Sequence, residues 1–217
     1  NIFICFGTEA VAYVHIPKSV VAEKPIEIIH FSTGKEKALW LQPRNLIVVD
    51  QNAQVQILER HQSLKEHDVV SNSVTEIYTH QDALVDYYKI QNDLSTASLI
   101  DNTYISQDKN SNVRVHTLSL GGKLIRNNLN FYLKGQYCHS TLKGVTLLED
   151  HQHVDHYTLV DHISSNCESH QDYKGVFSEG SKGVFNGKIH VDQSAQKTNA
   201  FQQNNNILLD DKATVNT

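Results

Sequence analysis

The residues best equipped for chemistry gather between positions 151 and 162. His151, His153, Asp155 and Asp161 share one parity along the chain, and His156, Thr158 and His162 share the other. In an extended strand, residues two apart lie on one face at about 6.6–7 Å. His151 and His153 are therefore candidate ligands for one metal, provided a neighbouring strand supplies a third donor. The plainer alternative is a polar ladder on the outer face of stacked strands, or a pH-sensitive or partner-facing patch.

The other reactive side chains are scattered. The His-x-His spacing resembles that of cupins superficially, but Tyr157 and Thr158 stand where an acidic ligand belongs. Cys5 lies in the apolar run Ile2–Phe6, and Cys138 shares strand parity with Leu142, so both read as buried, inert thiols. Cys167, in the polar stretch Ser164–Asp172, reads as the exposed thiol and the one to test for reactivity. Nothing in the spacing brings two thiols together as an iron–sulfur cluster requires. Gly121, Gly122 and Lys123 lack the upstream glycine and following hydroxyl of a phosphate-binding loop. With no catalytic motif and no clustered carboxylates, no catalytic residue is assigned and an enzyme is not expected. Amides crowd the last third, from Gln193 through Gln202, Gln203 and Asn204 to Asn206. Such residues build side-chain ladders within a stack, or line a strand edge that extends its sheet into a partner.

The elements that must hold these residues read as strands. Val11–Ile16, Ile26–Phe31, Ala38–Leu41, Leu46–Val49, Val55–Leu58, Val74–Tyr78, Leu84–Ile90, Val113–Leu120, Leu124–Leu133, Val145–Leu148 and Val154–Val160 are short apolar or alternating runs. Their corners repeat a phrase, seen at Asn52–Val55, Asp82–Val85 and Asn110–Val113, with an echo at Asp211–Val215. A spacing near 30 residues falls within the ~20–50 range of stacked repeats. Lys174–Phe177 recurs as Lys182–Phe185, which suits two adjacent strands joined by the corner Ser178–Ser181. Ser32–Lys37 and Gln107–Asn112 read as polar insertions. The pattern favours an all-β solenoid, with a sandwich or jelly roll as the alternative.

The 217 residues, 39% hydrophobic, suffice for a single domain spanning 1–217. A net charge of −5 with mixed signs offers no basic stripe for nucleic acid. No apolar run reaches the ~18 residues of a membrane span. Three widely spaced cysteines fit a reducing, cytoplasmic setting. The absence of methionine and a start inside an apolar run suggest a piece of a longer chain.

Several segments carry a family resemblance. Tyr173–Phe177, Gly183–Ile189, Ala195–Ala200, Asn204–Leu209 and Ala213–Thr217 resemble the core of the SufD family of iron–sulfur cluster assembly proteins. Gln42–Val48, Asp86–Ile90, His153–Asp155 and Val160–His162 agree in order. The resemblance implies a right-handed parallel β-helix with flanking helical segments outside this chain. It also implies a non-catalytic scaffold role, pairing with a SufB-like β-helix subunit, and docking of a SufC-like ATPase through a C-terminal segment beyond Thr217. The Cys and His implicated in the family follow that point too, so no cluster ligand is carried over and no cofactor is expected on this chain. The partner-interface candidates are Gln196, Lys197, Thr198, Asn199, Thr214 and Asn216, and an isolated chain could pair with itself. Two enzymatic readings stand beside this one: a polysaccharide lyase or hydrolase on a β-helix, and a cupin-like metal enzyme.

Overall fold

Alternation dictates the architecture, because successive side chains of an extended chain face opposite ways. A strand with one apolar parity must bury that face. A computed structural model describes residues 11–33 and 38–217, and among them there are sixteen strands and no helix. One sheet runs β1 (Val11–Ile16), β4 (Arg44–Val49), β6 (Val69–Thr79), β8 (Ala97–Gln107), β10 (Leu124–Leu133), β12 (His153–His162), β14 (Lys182–Val191) and β16 (Thr214–Asn216). A short β3 (Leu39–Leu41) also pairs with β6. The second sheet runs β2 (Ile26–Ser32), β5 (Gln54–Ser63), β7 (Leu84–Asn92), β9 (Asn112–Gly121), β11 (His139–Leu148), β13 (Glu168–Phe177) and β15 (Asn199–Leu208). From β4 onward, consecutive strands belong to alternate sheets, and every pairing is parallel. The result is a β-solenoid of about seven turns. Gln54, Leu84, Asn112, His139, Glu168 and Asn199 form one column, so a turn takes 27 to 31 residues.

The repeated phrase is the corner between the sheets. Asn52, Asp82, Asn110, Tyr137 and Asn166 adopt φ between 57° and 62°, the left-handed region that Asn and Asp tolerate best. The next residue points inward and is small: Ala53, Ala83, Ser111, Cys138 and Cys167, all buried. Each hands its carbonyl to the backbone N–H that opens the strand one turn on, as from Ala53 to Leu84 and from Cys138 to Glu168, both at 2.9 Å.

Some expectations change. Ala97–Gln107, too polar to read as a strand, is β8; its inward face carries Leu99, Thr103 and Ile105. Gln107–Asn112 is no insertion: Gln107 ends β8 buried, Asn112 opens β9, and only the corner lies between. Its amide bonds Ser111 and the carbonyl of His139, which explains a polar residue there. The twin Lys-Gly-Val-Phe segments are joined at Ser178–Ser181 but lie in opposite sheets, β13 and β14, because the corner carries the chain across the coil. Cys5, the run Ile2–Phe6 and most of Ser32–Lys37 fall outside the described residues.

The interior divides lengthwise. One half is apolar, with Val55, Val85 and Val113 in one column and Ile47, Ile77, Ile105, Phe131 and Val160 in another. The other half is polar.

Candidate functional site

The polar half is a vein of buried side chains crossing successive rungs about 4.8 Å apart. Burying such groups is costly unless each finds a partner. At one end, His30 of β2 and His61 of β5 are register partners whose rings stack at 4.5 Å, with Glu59 two residues before His61 on the same inward face. His30 Nε2–H donates to Glu59 Oε1 at 2.9 Å, and Asn45 Nδ2 donates to the same oxygen at 2.7 Å. Thr75 donates to Oε2 at 3.3 Å, and the Tyr87 hydroxyl donates to it as well. Burial opposes ionisation of Glu59, but the His30 bond and the charges of His61 and His30 overcome it and hold the carboxyl at about 2. Burial pulls the His61 imidazole down, partly offset by Glu59. Two buried atoms lack any hydrogen-bond partner here: His61 Nε2, 3.7 Å from Glu59 Oε1, and Asn45 Oδ1.

Further along, Lys89 of β7 faces Asp101 of β8 across the coil. Nζ and Oδ2 are 2.8 Å apart, and the side chains are 2% and 3% exposed. Lys89 also donates to Thr103 at 3.0 Å. Gln91 bonds Asp101 at 3.2 Å and Asn127 at 2.6 Å, while Ser119 donates to Gln91 at 2.7 Å. Asn127 Nδ2 donates to His156 Nδ1 at 3.2 Å, leaving Nε2–H to face Thr146 Oγ1 at 3.0 Å. This pattern suits a neutral ring, and burial, aided by Lys89, pulls His156 down to about 3.

The thiols meet as well. Cys138 and Cys167 occupy successive corners, and both hydrogen-bond the Gly135 carbonyl, at 3.1 and 3.3 Å. Cys167 is 1% exposed, contrary to the surface position its polar neighbours suggest; corner position, not local composition, decides its burial. The repeat length also brings together two thiols whose spacing implied no contact. The hydrogen bond from Cys138 holds Cys167 low, opposed by burial and aided by His162, whereas that bond and burial push Cys138 up.

The segment 151–162 is divided by its geometry. His153 opens β12 facing outward, but His151 sits in the preceding turn at φ 58°, off the strand. Neither belongs to a group of three converging ligand side chains among the described residues. Those groups are His30, Glu59 and His61 inside the coil, and Asp161, His190 and Asp192 on its surface. His156 and His162 point inward, as parity requires. Of the interface candidates, Gln196, Lys197 and Thr198 form the corner before β15, Asn199 opens β15, and Thr214 and Asn216 lie on β16. All but the half-buried Thr198 are exposed. β15 ends its sheet, and its outer edge has no strand partner among the described residues. Phe201, Ile207, Leu208 and Leu209 are exposed there.

Sequence reasoning grouped His156, Thr158 and His162 by parity but passed over the rest of the vein, because those members are single polar residues spread over several strands. Its one visible trace is inward parity at the repeat spacing, as in His30 and His61 with Glu59 between them.

Residues 30–217 match the SufBD core domain of the SUF system for FeS cluster assembly. The chain is 31% identical to an iron–sulfur cluster assembly SufBD family protein of Synechocystis, over 95% of this chain and 47% of that protein. It is 26% identical to chloroplastic protein ABCI7 of Arabidopsis thaliana, over 97% of this chain and 46% of the relative. To the iron–sulfur cluster assembly protein SufD of Escherichia coli it is 24% identical, over 96% of this chain and 50% of the relative. The chain thus spans about half the length of the curated relatives it matches. With parallel coils, a repeat near 30 residues and a domain match over most of its length, this chain belongs to the SufBD core family of iron–sulfur cluster assembly proteins.

Proposed function

We propose that this β-solenoid is the non-catalytic scaffold of an iron–sulfur cluster assembly subunit, working by holding partners in the cytoplasm. The expected partners are a second, SufB-like β-helix and a SufC-like ATPase, with the cluster as cargo of the assembled complex. The observation that carries the reading is the apolar surface beside the β15 edge, where Phe201 and Ile207 stand exposed on the outward face of the strand. Exposed apolar side chains of this size mark a surface that a partner covers. Free, buried Cys138 and Cys167 are compatible with a reducing compartment.

The test is co-purification of the full-length protein with its partners, with and without Phe201→Glu and Ile207→Asp. Recovery of a second β-helix subunit and an ATPase, with the β-helix subunit lost in the edge variants, supports the reading. Absence of both partners, or retention of the β-helix subunit by the edge variants, overturns it.

A further inference from the structure

Buried polar clusters normally satisfy themselves, and most of the vein does. Ser73 Oγ, His162 Nδ1 and Gln171 Nε2 are isolated unpartnered atoms, but at the end formed by His30, Glu59 and His61 the unpartnered atoms fall among converging donors, and ligand atoms from all three residues lie within 4.8 Å of one another. The pairs His30 Nε2–Glu59 Oε1 and His61 Nε2–Glu59 Oε1 measure 2.9 and 3.7 Å. Donors on one metal with bonds of about 2.0–2.2 Å stand roughly 3.0–3.5 Å apart, so these separations need only small adjustments. The His61 ring is 93% buried, since 7% of it is exposed, and its Nε2 has no hydrogen-bond partner. Asn45 repeats the pattern: its Nδ2 lies 3.5 Å from His30 Nε2 and 2.7 Å from Glu59 Oε1, while its Oδ1 is buried and unpartnered. Turning the amide over would place a carbonyl oxygen among the three donors and give Oδ1 a role. Thr75 and Tyr87 hold the other Glu59 oxygen, as outer partners of a ligating carboxylate do.

We propose that His30, Glu59 and His61, with Asn45 as a fourth donor, form a site for one first-row divalent cation inside the solenoid. Two imidazoles and one carboxylate select Zn2+, Fe2+ or Co2+ over Mg2+ or Ca2+, which take oxygen ligands. The cation takes the place of the hydrogen bond between His30 Nε2 and Glu59 Oε1, with His30 bound as the neutral imidazole that carries its proton on Nδ1. His30 keeps 15% of its side chain exposed and marks the side of entry. The site goes beyond the scaffold reading and stands apart from the β15 edge that carries it.

The experiment is titration of chelator-stripped full-length protein with Co2+, followed by visible absorption and by calorimetry. Three variants run beside it: Glu59→Gln, His61→Gln, and His190→Ala in the competing surface group. The expected result is one Co2+ per chain with a visible d–d band. It is displaced by equimolar Zn2+, weakened at least tenfold in Glu59→Gln and His61→Gln, and unchanged in His190→Ala. Circular dichroism confirms that each variant is folded. Should the interior variants fail to fold, the wild-type protein still decides: a melting temperature raised by Zn2+ and restored by chelator, unaltered in His190→Ala, supports the site. No Co2+ band and no Zn2+ shift, or a signal abolished by His190→Ala, overturns it.

Discussion

Replacing Lys89 by Met tests whether the vein is a coupled network. Nζ and Oδ2 of Asp101 are 2.8 Å apart with side-chain exposures of 2% and 3%, so water does not screen the pair. The substitution keeps most of the buried stem and deletes the cation. Asp101 is left with Gln91 and Thr103 as donors, at 3.2 and 3.3 Å, neither of them charged. Breaking a buried pair from one side costs about 3–5 kcal/mol, because the surviving charge stays desolvated. Removing the second charge with Asp101→Asn in the same chain should return most of that loss, since the amide keeps the shape and can still bond Gln91 and Thr103. Urea unfolding monitored by circular dichroism measures both variants, with an unchanged slope required for the comparison. The cycle should give a coupling of about 2 kcal/mol or more. A loss below about 1 kcal/mol in Lys89→Met, or strict additivity in the double variant, refutes the reasoning.

His156 makes stability depend on pH. Burial, aided by the charge of Lys89, lowers its pKa to about 3 in the folded chain against 6.5 in the unfolded one. The unfolded state therefore binds more protons between those values. Stability is fully present above pH 6.5 and is lost as pH falls toward 3, by about 1.4 kcal/mol per unit in mid-window. His156→Gln should flatten that slope in pH-resolved urea melts, and an unchanged slope would assign it to other groups. Gly144→Ala should destabilise by about 1–3 kcal/mol through overpacking, because an added Cβ would meet the Tyr173 ring at 2.2 Å; a calorimetric melt at the wild-type temperature contradicts this. Cys138 and Cys167, 0% and 1% exposed, should resist iodoacetamide in the native protein and label quickly in denaturant, as peptide mass spectrometry reads directly. Native labelling of Cys167 at the rate of a free thiol would mean that its corner opens.

How much of this was legible in the chain depends on what each signal encodes. Corners were legible because Asn52, Asp82 and Asn110 must take positive φ, a demand few residue types meet cheaply. Strand parity was legible wherever one face is apolar, as in β10, whose bounds are those of the run Leu124–Leu133. It failed at β8, where Thr103 and Asp101 are as buried as Ile105, because polar residues inside the coil imitate polar residues outside it. Cys167 misled for the same reason. Its neighbours are polar, but it fills the inward position that Ala53, Ala83 and Ser111 fill at earlier corners. Contacts between turns are set by repeat length, and one insertion of two residues shifts every later partner. The meeting of His30 with His61 thus becomes certain only once β2 and β5 are in register.

That dependence on register bears on why a solenoid keeps charges inside. Each rung touches only its neighbours, so an aliphatic column such as Ile47, Ile77 and Ile105 packs nearly as well when one sheet slips a rung against the other. The vein does not. Moved by one rung, Lys89 would face Ser73 or Asn127, the register neighbours of Asp101, and neither carries a charge. The slipped state would then hold an unpaired ammonium and an unpaired carboxylate, at several kcal/mol each. Only the native alignment satisfies both. The polar half therefore does for sheet alignment what the apolar half cannot. Lys89→Met with Asp101→Asn should accordingly keep most of the stability while loosening the alignment of the sheets, visible as faster amide hydrogen exchange in β7 and β8 than in wild type. A double variant that is as stable and as protected from exchange as the parent would show that the aliphatic columns alone fix the register.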